Sequence, residues 1–223
     1  MHDLLEEDVK TSRGESGRFW RKTMFRKMTW QNLLSLVLII SFSFPAFAGE
    51  PTEVIRKTTD KIIAIVKDPA LQGPEKKSER DKLIRAAAEE IFDKEEMSRR
   101  TLARHWRKRT PAEKNEFMEL FEDLLEKTYI DRVEGYSGEK VLYEGERVEG
   151  KYALVKVSIM TKQETKISVL YRLKKKETGW LVYDLSIEGV SLINNYRTQF
   201  NSIIMKSSFN GLLKKLKEKV GKK

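Results

Sequence analysis

Near residue 139 the spacing of apolar residues changes from helical to alternating, and that change limits the possible folds more than any motif in the chain. In KYALVKVSIM (151–160), Ala153, Val155, Val157 and Ile159 alternate with Leu154, Lys156, Ser158 and Met160. In KISVLYRL (166–173), Ile167, Val169, Tyr171 and Leu173 alternate with Ser168, Leu170 and Arg172. A period of two describes strands with two distinct faces. The links TKQET and KKETG are short enough for hairpins, and WLVYDLSI (180–187) supplies a further strand. EKVLYEGERVE (139–149) reads as a strand beside them, so an antiparallel meander is expected.

On either side of this block the period is helical. Pro51 occupies a first-turn position, and Val54, Ile55, Thr58, Ile62, Ile65 and Val66 follow until Asp68-Pro69 ends the pattern. A polar loop (71–80) precedes the stripe Leu83, Ile84, Ala87, Ala88, Ile91 and Phe92. Asp93, with Glu96 three residues on, restarts the count for Met97, Thr101, Leu102, His105 and Trp106. Thr110, Pro111 and Glu113 give the clearest start signal in the chain, and the helix they open is expected to end near Gly135. After Gly189 a helix carries Leu192, Ile193, Tyr196, Phe200, Ile203 and Ile204, with a break expected at Asn210-Gly211 before a basic last helix. Helices, a meander and then helices make an α+β order, one antiparallel sheet packed against several helices.

The first 48 residues fit no part of that fold. Arg18, Arg21, Lys22, Arg26 and Lys27 precede the apolar run at 33–48, which closes on Ala46-Phe47-Ala48. A basic segment, a short apolar segment and an A-x-A ending are the parts of a secretory signal peptide, cut before Gly49. The run is shorter than the roughly 20 apolar residues a membrane span needs, and Ser35, Ser41, Ser43 and Pro45 interrupt it. Residues 1–23 are too long and polar for the start of such a signal, so translation is expected to begin at Met24 or Met28. Residues 49–223 then form a single domain with 37 Lys and Arg against 29 Asp and Glu, and no cysteine. An exported, basic, cysteine-free domain is held by its core and is suited to acidic partners or anionic membrane surfaces.

Catalytic machinery is sparse. His105 is the one histidine outside the leader, on an apolar stripe beside Trp106, where a hydrogen-bonded structural role is the common finding. No metal site, cofactor site or phosphate-binding glycine loop is expected, since Cys is absent and neither H-E-x-x-H nor a nucleotide motif occurs. The basic runs 99–109 and 214–223 match no nucleic-acid-binding pattern. Gly189-Val190-Ser191 raises the possibility of a nucleophilic serine, which would make the chain a secreted lipid-ester hydrolase. The G-x-S-x-G elbow requires Gly where Ile193 stands, and its histidine should follow the serine rather than precede it. Ser191 is expected instead to cap the following helix, a contribution of roughly 1 kcal/mol.

What is abundant is apolar and aromatic surface on facing elements. Phe117, Phe121, Leu124, Leu125 and Tyr129 come from one helix. Val155, Val157, Ile167, Val169, Tyr171, Trp180 and Val182 come from the strands, and Tyr196 and Phe200 from the last long helix, expected to aim back at the sheet. Such residues usually pack as core, but a curved sheet closed by helices can also leave an internal apolar cavity that suits alkyl chains.

Residues 180–204, WLVYDLSIEGVSLINNYRTQFNSII, together with 117–141, FMELFEDLLEKTYIDRVEGYSGEKV, resemble the MlaC family, also called the toluene-tolerance auxiliary family. The likeness extends over residues 49–223. It implies an NTF2-like α+β domain whose cavity takes phospholipid acyl chains. The fourteen residues above are assigned to its lining by the faces they share, and Arg197, near the expected mouth, to a headgroup or partner contact. The likeness further implies a periplasmic carrier without catalytic residues that helps to maintain outer-membrane lipid asymmetry. Its partners would be an outer-membrane lipoprotein–porin complex and the MCE-domain subunit of an inner-membrane ABC transporter.

Overall fold

The computed structural model describes residues 49–222; the expected leader and cleavage point lie outside them. Helix α1 (Glu50–Lys67) begins with Glu50 and Glu53 in its positive first turn and Pro51 where no amide partner is needed. It ends at Asp68, whose carboxylate accepts from Ala70 N–H at 2.9 Å and starts a 3-10 turn, Pro69–Leu71. Helix α2 (Lys77–Glu89) follows a second 3-10 turn.

Asp93 caps α3 (Lys94–Leu102), its Oδ1 accepting from Glu96 N–H at 3.0 Å. Only half of the expected capping box forms, because the Glu96 carboxylate turns to Arg99 and Arg100. Thr110 opens α4 (Pro111–Glu134) with both halves. Glu113 N–H donates to Thr110 Oγ1 at 3.2 Å, and Thr110 N–H donates to Glu113 Oε2 at 2.8 Å.

The meander forms in sequence order: β1 (Lys140–Glu149), β2 (Tyr152–Met160), β3 (Lys166–Lys176) and β4 (Gly179–Ile187), each antiparallel to the next. A fifth strand, β5 (Val190–Ser191), was not expected from its two residues. Glu188 and Gly189 both take positive φ, 49° and 79°, and close a two-residue hairpin that pairs Ile187 with Val190 and Ser186 with Ser191. Further along the β4 edge, the loop between α2 and α3 pairs with Val182. There Val182 N–H donates to Ile91 O at 2.7 Å and Asp93 N–H to Val182 O at 2.8 Å. These contacts interrupt the edge that β4 would otherwise present.

Helix α5 (Leu192–Val220) turns back from β5. Its break falls at Ser208, not at Asn210-Gly211. Ser208 adopts φ 72° and ψ 173°, and its hydroxyl accepts from Gly211 N–H at 3.4 Å, so a serine cap starts the second half. Gly211 lets the two halves approach, since a Cβ there would meet Ser207 Oγ at 2.7 Å.

Two apolar clusters hold these elements. The helical one joins α3, α4 and α5 through Met97, Leu102, Trp106, Phe117, Phe121, Tyr196, Phe200 and Leu212. The sheet cluster joins one face of β2, β3 and β4 to α1 through Val155, Val157, Val169, Leu173, Val182 and Ile55. Phe92, held at the β4 edge by the Ile91 and Asp93 backbone bonds, packs against both.

Candidate functional site

A bulge in β4 decides what lies beside α5. Leu173 pairs with Val182 but Arg172 pairs with Asp184, so Tyr183 is the extra residue and the faces exchange across it. Trp180 and Val182 therefore face the sheet cluster, while Asp184 and Ser186 share the opposite face with Arg172. In WLVYDLSI only a slight trace of this exchange is visible. The signs of the shift are Asp184 and Ser186, polar residues at positions where the apolar series of Trp180 and Val182 should continue.

Asp184, 6% exposed, is fully engaged. Its Oδ2 accepts from Ser191 Oγ at 2.7 Å and lies 3.5 Å from Arg172, and its Oδ1 accepts from Ile193 N–H at 3.1 Å. Ser191 Oγ in turn accepts from Asn194 N–H at 3.1 Å, so the serine caps α5 as expected and is locked to the sheet as well. His105 hydrogen bonds through Nε2 to Asn201 Oδ1 at 3.0 Å. Asn201 is ten residues along α5 from Ser191, about 15 Å at the helical rise. The three groups of a serine triad are not brought together.

Arg197 is half-buried and donates from Nε to Arg100 O at 2.8 Å. It lines a polar hollow of about 260 Å³ with Arg100, Arg172, Tyr183, Asp184, Ile193 and Asn194. The Arg100 guanidinium stacks 4.0 Å over Tyr183, and its Nε donates to Glu96 Oε1 at 2.9 Å. Burial disfavours the charge on Glu96, but hydrogen bonds from Arg99 and Arg100 outweigh it and hold the carboxyl at about 2.

Of the fourteen apolar residues expected to line a cavity, ten are buried outright: Phe117, Phe121, Leu124, Val155, Val157, Val169, Trp180, Val182, Tyr196 and Phe200. They divide between the two clusters. Tyr196 and Phe200 do not turn to the sheet; they meet α4, with the Phe121 ring 5.3 Å from Tyr196 and 5.6 Å from Phe200. The broad stripe of α4 captures the stripe of α5, where edge-to-face ring pairs add about 0.5–1.5 kcal/mol each.

Leu125, Tyr129, Ile167 and Tyr171 keep accessible surface at the margins of these clusters. Val141, Tyr143 and Ile159 stand in the same position on the sheet and were not singled out from sequence, although β1 shows the same alternation. Desolvation pushes the Tyr171 phenol up to about 12 while part of its side chain stays accessible. Desolvation also raises the Tyr129 and Tyr143 phenols.

The model of a family described as "MlaC protein" matches residues 56–218. A curated relative, the intermembrane phospholipid transport system binding protein MlaC of Haemophilus influenzae, is 28% identical over 117 residues, 50% of this chain and 55% of the relative. The chain thus spans about half the length of that relative. Among solved structures, the fold is similar to the phospholipid-binding protein from Ralstonia solanacearum in complex with a phospholipid. The TM-score is 0.71 at 24% identity, over 78% of this chain and 98% of that one. At that identity the likeness establishes the α+β fold.

Proposed function

Since this chain belongs to the MlaC family, we propose that it is a non-enzymatic phospholipid carrier of the periplasm, delivered there by the 1–48 signal segment. Acyl chains would lie along the margin between the two clusters, against Leu125, Tyr129, Ile167 and Tyr171, and the lipid would pass between an outer-membrane lipoprotein–porin complex and the MCE subunit of an inner-membrane transporter. Such transfer would help to keep the outer membrane asymmetric.

The observation that carries this reading is the split interior. Two separately packed clusters share Phe92, and apolar side chains with accessible surface flank both. Tyr171 supports it most directly, since its surroundings are apolar enough to push the phenol up to about 12 while part of its side chain stays accessible. Polar ties between the helices and the sheet lie at the β4 edge and the start of α5, so acyl chains inserted at the apolar margins would restore apolar packing on both sides without breaking them.

A carrier of this kind answers a simple energetic problem. Each methylene moved from a bilayer into water costs about 0.8 kcal/mol, so a two-chain lipid does not cross an aqueous gap unassisted at a useful rate. Release then depends on a partner that favours one arrangement of the layers over the other.

Ser191 does not support the hydrolase alternative. Its hydroxyl is committed to Asp184 and to the α5 cap, and the histidine lies about three helical turns away. Native mass spectrometry of the protein purified from its host tests the proposal. Phospholipid should leave with the protein on mild activation, whereas protein that is empty and takes up no lipid from donor vesicles would refute it.

A further inference from the structure

The hollow beside Arg197 has a chemistry of its own. Three arginines, Arg100 on α3, Arg172 on β3 and Arg197 on α5, line it together with a single acidic residue, Asp184. That carboxylate is occupied by the Ser191 hydroxyl and the Ile193 amide, with Arg172 at 3.5 Å. Arg99 and Lys174 add charge just outside through Glu96, so five cations surround two carboxylates. Among the described residues the terminal nitrogens of Arg197 and Arg100 have no hydrogen-bond partner, and Arg172 is bound only through Nη1, to Ser186 Oγ at 2.7 Å and to Asp184.

The arrangement is also held in place. Arg100 is fixed by its stack on Tyr183 and its bond to Glu96, Arg197 by the Arg100 carbonyl, and Arg172 by Ser186. The α5 amides that might have bound an anion are already taken, Ile193 N–H by Asp184 and Asn194 N–H by Ser191. Any anion in the hollow must therefore be met by the arginines.

We propose that this hollow binds the oxyanion of a phosphate ester. Guanidinium forks match phosphate and carboxylate oxygens, but three forks from three elements suit a tetrahedral group with three oxygens better than a planar group with two. At about 260 Å³ the hollow has the volume of some eight to nine water molecules, room for a phosphate and part of its substituent. Ile193, on its lining, is also a buried member of the helical cluster, so an ester bound here touches the apolar interior.

The phosphate could belong to a lipid headgroup, which rests on the carrier reading, or to a small soluble ester, which does not. Two variants test the site. Arg197→Gln removes one fork, and Asn194→Glu places an exposed carboxylate on the lining at a helix-start position that tolerates acid. Melting temperatures confirm folding.

Calorimetry with inorganic phosphate at low salt is compared with retention of phosphatidylglycerol and of diacylglycerol taken from vesicles. Phosphate binding weakened about tenfold or more in both variants supports the site with a soluble source. Phosphatidylglycerol retention weakened to the same degree, with diacylglycerol unchanged, supports it with a lipid source. Phosphate binding sensitive to the variants in a protein that takes up neither lipid upholds the site and ends the carrier reading. Lipid uptake that neither variant alters, with phosphate unbound or equally unaffected, overturns the site and leaves the carrier standing. A wild type that binds none of the three overturns the site.

Discussion

The Ser191 hydroxyl donates to Asp184 Oδ2 at 2.7 Å, and this bond fastens the start of α5 to β4. Ser191→Ala removes the cap and one of Asp184's donors. The cap contributes about 1 kcal/mol, and in a domain of this size each kcal/mol moves the melting temperature by roughly 2–4 °C. A small drop is expected with lipid uptake unchanged at 25 °C. Asp184→Ala strips the acceptor from Ser191 and Ile193 and leaves Arg172 without its carboxylate, so its drop should be clearly larger. Thermal melts of both variants beside vesicle uptake assays check this.

A charge placed in the interior should stop lipid uptake. Leu124 and Val169 are 3% and 6% exposed, so Leu124→Glu and Val169→Glu bury an unpaired carboxylate, a cost of several kcal/mol, and are expected to weaken folding as well. Leu125→Glu separates the two effects, because Leu125 is only half-buried. Far-UV circular dichroism should show it folded while uptake from donor vesicles is lost. Unimpaired uptake by folded Leu125→Glu would exclude the α4 margin as part of the lipid path.

The meander, the helix starts at Thr110 and Asp93 and the Ser191 cap were legible because each rests on local chemistry: alternation, a side-chain oxygen aimed at early amides, a Gly at a tight turn. What was not legible depends on pairing. The bulge at Tyr183 reverses the face with only the polar Asp184 and Ser186 to hint at it, and the pairing of Arg172 and Leu173 is what locates it. The same holds for the fourteen apolar residues, since spacing tells which side of a helix is apolar but not which neighbour covers it. Tyr196 and Phe200 thus went to α4 rather than to the sheet. Arg197 could be marked as unusual from sequence, whereas Arg100 and Arg172, 72 residues apart, meet it only through the fold.

Glu96 gives the protein a stability that depends on pH in a defined direction. Its ordinary value is 4.5 and the folded protein holds it at about 2, so the folded state favours the ionised form. That contribution is complete above about pH 4.5 and is lost progressively as the pH falls from there towards 2. Glu96→Gln should therefore be less stable than wild type at pH 7, and the gap should narrow steadily from about pH 5 towards pH 2. Urea midpoints measured across this range check it, and a gap independent of pH would show that packing, not charge, sets the role of Glu96.

Ser208 offers the opposite test, a substitution expected to stabilise. With φ 72° and ψ 173° it occupies a region essentially reserved for glycine, where a side chain costs on the order of 1–3 kcal/mol. The compensation is slight, a hydroxyl that accepts from Gly211 N–H at 3.4 Å. Ser208→Gly removes the strain and gives up only that long bond, so the melting temperature should rise by a few degrees. Gly211→Ala should not share the gain, because its Cβ would press on Ser207 at 2.7–2.9 Å and force the two halves of α5 apart. If Ser208→Gly melts lower than wild type, the hydroxyl contact outweighs the backbone strain, and the break in α5 is held by its serine rather than imposed on it.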